Sequence, residues 1–308
     1  MRIAGAALAA LFLFGCEQIT APEAEAPGAQ SAAIAPPVLS EFFDCLRREN
    51  AAVVAAHRGG PTRGYPENAM ATFARTLGRV PALLEIDVGQ LRDGTLVLMH
   101  DDDVSRTTNG SGRLDEMNLE AFRALRLRNS RDGEGPATLQ EALDWADGRT
   151  VLELDIKEGV PFEAVVEAVQ RAVATERVIV IVYSTGAAIR LHRLEPDLMI
   201  SVPIDEAGDL DRLRRVGVPL DRVLAWTGTQ ARDGALYETL RARGVEVIYG
   251  ALGGADSFDE RAARGAEDYG SLLREGVTLI ATDEPEAAYR GLDQADGEGW
   301  AAERCLRE

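Results

Sequence analysis

Lysine is almost missing from this chain: Lys157 stands alone among 33 basic residues, and arginine supplies the rest. A lysine kept inside an apolar run, beside Glu153 and Asp155, points to a need for a compact point charge of tunable pKa rather than a planar fork. Positive charge as a whole is also scarce, with 33 Lys and Arg against 51 Asp and Glu and a formal net charge of -18. That balance excludes nucleic acid or an anionic membrane surface as the main partner and suits a reaction assisted by a cation. Histidine is confined to His57, His100 and His192, and cysteine to Cys16, Cys45 and Cys305. Neither a cysteine nor a third nearby histidine accompanies His57 and His100, which argues against a zinc site.

What is present begins with a targeting pattern. Residues 1–16 read as a signal segment, with Arg2 as its positive end and an apolar run through Leu8, Leu11, Phe12 and Leu13, too short to span a bilayer. The run ends in Leu13-Phe14-Gly15-Cys16, which resembles a bacterial lipobox, so lipidation is expected at Cys16. The expected location is therefore exported: the periplasmic or cell-surface side of a bacterial membrane, held there by an N-terminal lipid, with the outer membrane favoured. Residues 17–38 are dominated by Ala, Pro, Glu and Gln and read as a flexible tether. With Cys16 assigned to lipid, Cys45 and Cys305 remain near the two ends of residues 39–308, in a compartment where disulfides persist, and a bridge between them is expected.

Residues 39–308 contain no second linker, and their span is close to the ~250 residues of a (β/α)8 barrel. Eight β-branched and apolar runs alternate with stretches of helical period: 52–57, 83–88, 150–157, 178–183, 199–203, 222–226, 245–250 and 277–281. The fold class expected is α/β, a (β/α)8 TIM-type barrel. A ninth run at 95–100 follows Asp93-Gly94 too closely for a crossover helix and reads as a β-hairpin extension after strand two. A two-residue turn would set Arg92 against Thr95 and His100 against Asp87.

Active sites of parallel barrels lie at the carboxyl ends of the strands. There the sequence places His57, Glu85, Asp87, Asp155, Lys157, Trp226 and Tyr249, with Thr282-Asp283 after the eighth strand and His100 brought in by the hairpin. Glu85-Ile86-Asp87 and Glu153-Leu154-Asp155 each alternate, so each pair of carboxylates points to one side of its strand. Two such strands form an oxygen-rich cage suited to a hard divalent cation, Ca²⁺ or Mg²⁺. His57 and His100 suit a reaction needing one general base and one general acid near neutral pH. His192, flanked by arginines on a helix, reads as surface.

Several of these residues lie in longer strings: His57-Arg58-Gly59, Pro66-Glu67-Asn68, Glu85-Ile86-Asp87, His100-Asp101, residues 106–112 (Arg-Thr-Thr-Asn-Gly-Ser-Gly), Pro136-Ala137-Thr138-Leu139, Asp155-Ile156-Lys157 and Thr282-Asp283-Glu284-Pro285. Together and in order they resemble the glycerophosphodiester phosphodiesterase family over residues 53–287. The resemblance implies metal-dependent hydrolysis of a small-molecule glycerophosphodiester to sn-glycerol 3-phosphate and an alcohol. It implies metal ligands Glu85, Asp87 and the acid before Lys157, which is Asp155 where the family usually has Glu, leaving Glu153 as an alternative or additional ligand. It further implies that Arg58 and Lys157 hold phosphate oxygens and that Glu67 orients Arg58, while Asn68 serves equally as a helix N-cap. Tyr249-Gly250-Ala251-Leu252 departs from the family's Trp-Thr-x-Asn stretch, so Trp226 and Tyr249 are the candidate substrate walls. His57 is favoured as base and His100 as acid. The alternatives are a related barrel phospholipase acting on lysophospholipids or phosphoinositides, and a non-catalytic surface-binding lipoprotein.

Overall fold

The computed structural model describes residues 33–230, 233–296 and 301–306. Lipidation at Cys16 and the signal segment lie outside the described residues. The described strands are β1 (Val53–Ala56), β2 (Leu83–Gln90), β3 (Leu96–Leu98), β4 (Leu152–Ile156), β5 (Val178–Ile181), β6 (Met199–Pro203), β7 (Val223–Trp226), β8 (Glu246–Gly250) and β9 (Leu279–Thr282). All pair in parallel except β3, which is antiparallel to β2, and the additional β1–β2 pairing closes the other eight into a barrel. The eight barrel strands overlap the eight runs read from the sequence.

Alternation within each strand sorts side chains between two cores. Residues such as Val54, Leu84, Ile86, Leu154 and Val180 point outward and pack under the helices. Val53, Leu83, Val151, Ile179, Met199, Leu224, Ile248 and Leu279 point inward and fill the barrel's amino-terminal half. The helix Leu39–Glu49 plugs that end, burying Leu39, Phe42, Phe43 and Leu46 against them; each such side chain contributes roughly 1.5–3 kcal/mol. Packing reaches back to Ile34, which is buried in the same cluster although it lies in the stretch read as tether. Cys45, on this helix, is disulfide-bonded to Cys305 on the helix Ala302–Cys305, with Cα atoms 5.6 Å apart.

The hairpin differs from expectation by one residue. Val88 pairs with Leu98 and Gln90 with Leu96, and the Met99 amide donates to the Asp87 carbonyl at 3.1 Å. Asp87 therefore faces Met99 rather than His100. The loop has three residues, Arg92, Asp93 and Gly94, because Leu91 bonds to Thr95 and Gly94 adopts a left-handed φ of 87°, the turn-plus-bulge alternative to a two-residue turn. Beyond the hairpin, Leu91, Val97, Met99, Val104, Leu114 and Phe122 form a small separate core under the loops leading to the helix Leu139–Ala146.

Candidate active site

β1 ends at Ala56, and the chain turns at once through His57–Gly59. Arg58 takes a left-handed φ of 50°, a conformation that costs a non-glycine residue energy and is kept only where its surroundings enforce it. Here it aims the Arg58 amide at Glu85 Oε2, 2.7 Å away. His57 Nδ1 lies 2.7 Å from Asp283 Oδ1. Burial opposes a charge on Asp283, but the bond to His57 outweighs it and holds this carboxyl below its usual range. An ionised acceptor fixes the proton on Nδ1 and leaves Nε2 as the acceptor.

On β2 and β4, Glu85 pairs in register with Glu153 and Asp87 with Asp155. Glu85, Asp87 and Asp155 are all buried, and each offers an oxygen within 4.8 Å of the others. Burial first, and then the charge of Asp87, push the Glu85 carboxyl well above its usual range. Lys157 Nζ sits 2.5 Å from both Asp87 Oδ1 and Asp155 Oδ2. Burial disfavours its ammonium, but the two carboxylates outweigh burial and hold it above the ordinary lysine range, so it is a fixed cation rather than a tunable one. Arg58 Nε adds a longer contact to Asp87 Oδ2 at 3.5 Å. Three converging acids with this limited compensation form a cluster that could hold a divalent cation.

Asn68 is not the N-cap of the following helix Met70–Leu77, whose cap residue is Ala69. In a left-handed conformation, φ 55°, it donates through Nδ2 to Asp87 Oδ2 at 2.6 Å and accepts from the Asp87 amide at 3.0 Å. Glu153 is enclosed in the barrel but is not part of the three-acid cluster. It lies one layer deeper than Asp155, and burial followed by the Asp155 charge push it up to about 8. That leaves Asp155 as the third acid of the cluster.

His100 leaves the hairpin with Nδ1 2.6 Å from Asp101 Oδ1. The hydrogen bond from Arg106 and, against burial, the one from His100 hold Asp101 down to about 2. Arg106 also forks onto Glu67 at 2.8 and 2.6 Å, and Glu67 accepts from Arg58 at 3.2 Å. One chain of ion pairs thus links His57's neighbour to His100's partner. The two histidines line different cavities: His57 a pocket of about 190 Å³ in the barrel mouth, His100 an adjacent cleft. Asp155 lines the first, Lys157 the second, and the two are bonded, so the cavities meet at that pair.

Trp226 lines the mouth pocket with Ile181, Pro203 and Leu252, and its ring occupies the space where any side chain at Gly250 would come to 2.6 Å. Tyr249 is not a substrate wall. It stands one position from inward-facing Ile248, so alternation turns it outward, where it is buried against Phe258. His192, expected on the surface, is half-buried with Nδ1 enclosed and without a hydrogen-bond partner among the described residues.

Three contributors went unassigned in the sequence. Asp283 stands after the eighth strand and in a motif, but had no role assigned to it. Tyr183, 67% exposed at the rim, donates to Asp155 Oδ1 at 2.5 Å. Asp259 accepts from Tyr269 and Thr282 at 2.7 Å each and from the Asp283 amide at 2.8 Å, which mounts the carboxylate holding His57. Only the Thr282-Asp283 string offered a signal for any of them.

Residues 57–218 match the Glycerophosphoryl diester phosphodiesterase family. The chain belongs to that family. It is 30% identical over 160 residues to a glycerophosphodiester phosphodiesterase of Caldanaerobacter subterraneus subsp. tengcongensis, covering 49% of this chain and 65% of that protein. It is 42% identical over 94 residues to glycerophosphodiester phosphodiesterase 1 of Rattus norvegicus, covering 29% of this chain and 28% of that protein. The match thus spans less than two thirds of the length of these relatives. A crystal structure of a glycerophosphoryl diester phosphodiesterase from Parabacteroides distasonis superposes with a TM-score of 0.74 at 26% identity, covering 85% of this chain and 94% of that one. A phosphodiesterase from Oleispira antarctica, solved in complex with the product sn-glycerol-3-phosphate, shares the fold with a TM-score of 0.61 at 22% identity, over 80% and 99% of the two chains.

Proposed function

We propose that this chain hydrolyses glycerophosphodiesters to sn-glycerol 3-phosphate and an alcohol at the carboxyl-terminal mouth of its barrel. The observation that carries this reading is the Asp283-held imidazole of His57 in one pocket with Glu85 and Asp155 of the buried acidic cluster. Membership of the family supports it, as does the product named for the Oleispira antarctica relative.

In this reading Glu85, Asp87 and Asp155 hold a divalent cation, Ca²⁺ or Mg²⁺, whose chemistry when bound is Lewis-acid polarisation of a phosphoryl oxygen. The buried Glu85, pushed far above its usual range, fits such a group because a cation would restore its charged form. Arg58 and Lys157 bind the phosphate oxygens and offset charge as it grows on them. His57, protonated on Nδ1 toward Asp283, accepts at Nε2 the proton of the attacking water, or of the glycerol hydroxyl, in which case water must then open the cyclic phosphate to give sn-glycerol 3-phosphate. As the bond from phosphorus to the alcohol oxygen breaks, His100 delivers a proton to that oxygen, its ring held through Nδ1 by Asp101. Glu67 keeps Arg58 and Arg106 in place.

The apolar walls at Ile181, Pro203, Trp226 and Leu252 favour a second reading, a lysophospholipid substrate with part of its lipid in the mouth pocket. A non-catalytic surface protein is disfavoured because the histidines, acids, Arg58 and Lys157 are all in place. The disulfide supports export, since such bonds persist in oxidising compartments, and we keep an N-terminal lipid at Cys16 as part of this proposal.

The test is a coupled assay for sn-glycerol 3-phosphate released from glycerophosphocholine, run beside lysophosphatidylcholine. Release from the first supports the proposal, preference for the second supports the lipid reading, and turnover of neither rejects both.

A further inference from the structure

Beside Glu67 and away from the mouth pocket lies a second cavity of about 710 Å³, whose walls include Thr62, Arg63, Tyr65, Arg106, Arg128 and Asn129. Its lining holds three arginines and one carboxylate, in a chain whose acids outnumber its bases 51 to 33. That carboxylate, Glu67, is already engaged by Arg106 and Arg58. Arg63 makes no hydrogen bond or ion pair among the described residues. Arg128 uses only Nε, toward the Ser105 carbonyl, which leaves its terminal nitrogens unengaged.

The backbone presenting these two arginines is braced. Thr62 and Tyr65 exchange amide bonds of 2.9 and 2.8 Å, setting Arg63 at the tip of a tight turn. The Arg131 amide bonds to Gly64, and the Arg128 amide to the Thr107 carbonyl at 2.7 Å. Both arginines are exposed at this cavity, and guanidinium groups with unused donors have the chemistry to bind a phosphate. Through Glu67, the cavity wall stands one ion pair from Arg58 and two from Asp87.

We propose that this cavity is a subsite for a second phosphate, carried by the alcohol portion of the diester. The inference rests on the hydrolysis proposed above and adds a substrate class: glycerophosphodiesters whose alcohol is a phosphorylated polyol.

Glycerophosphoglycerol and its terminally phosphorylated form differ by one phosphate and serve as probes. For the intact protein, KM should be about tenfold lower for the phosphorylated form. The double variant Arg63→Glu/Arg128→Glu should lose that advantage with kcat unchanged and with glycerophosphoglycerol kinetics unaltered. Calorimetric titration of the His57→Ala protein reads binding without turnover and should show the same preference, abolished by the double variant. Equal affinity for both probes, or a preference that survives charge reversal, overturns the subsite. Preferential binding without hydrolysis of either probe instead overturns the proposed reaction and leaves the subsite standing.

Discussion

An imidazole tied through Nδ1 presents only Nε2 to a substrate, and Asp283 does the tying for His57. Replacing His57 by Ala should lower kcat about 10²- to 10⁴-fold while the circular dichroism spectrum and Tm stay in place. Near-normal turnover in that variant would remove the proposed base. Asp283→Asn keeps the size but weakens the acceptor, and a kcat loss of about 10- to 100-fold with an altered acid limb of the pH profile is expected. Asp259 acts at one remove, by holding the Asp283 amide. Asp259→Ala should therefore lower kcat more than it raises KM, whereas an unchanged pH profile and rate would show its network to be structural only. His57 was legible because it closes an apolar run, and Glu85 and Asp87 because they interrupt one on a single face of their strand. Asp259 was not, because its relevance comes from contacts with Tyr269 and Thr282 that no local pattern announces. The left-handed Asn68 was legible only in part: a polar residue before a helix reads first as a cap.

Strand alternation explains both a success and an error at the level of elements. It sends Leu83, Glu85 and Asp87 inward together, so the acidic cluster was readable from Glu85-Ile86-Asp87 alone. The same rule turns Tyr249 away from the pocket, which the sequence reading overlooked when it took position at a strand end as sufficient. The hairpin register failed for a smaller reason: Asp-Gly fits a two-residue turn and also the last two places of a three-residue one. At the opposite end of the barrel, Glu246 on β8 is bound to Arg47 of the plugging helix at 2.8 Å. Burial outweighs that partner and pushes Glu246 up to about 7. The folded state therefore keeps a proton that the unfolded chain releases, and the Glu246 contribution to stability should be lost as pH rises from the ordinary glutamate range through about 7, where its share of the decline ends. Thermal melts across pH 4.5 to 7.5 check this; Glu246→Gln should flatten the decline, and an equal slope in both proteins would assign it to other groups.

For the molecule as a whole, the Cys45–Cys305 bond ties the plugging helix to the far end of the described chain across 260 residues. Its reduction should lower stability by about 2–5 kcal/mol, read as a drop in the denaturant midpoint, and Cys45→Ser/Cys305→Ser should reproduce the shift. No shift on reduction would mean that floor packing alone holds the ends. The barrel was legible in the sequence because parallel strands buried on both faces leave unbroken apolar runs, separated by helices of regular length. Of the walls of the two cavities Trp226 was legible too, but Leu252, Arg63 and Arg128 were not, since they come from loops far apart in the chain. The account stands or falls on one property of the mouth, that its three buried acids hold a divalent cation which the hydrolysis requires. The most direct measurement is the rate of sn-glycerol 3-phosphate release from glycerophosphocholine by chelator-stripped protein titrated with Ca²⁺ or Mg²⁺. The account predicts no release without the cation, saturable recovery with one of them, and no recovery in Glu85→Gln or Asp87→Asn. Full activity in excess chelator would contradict it.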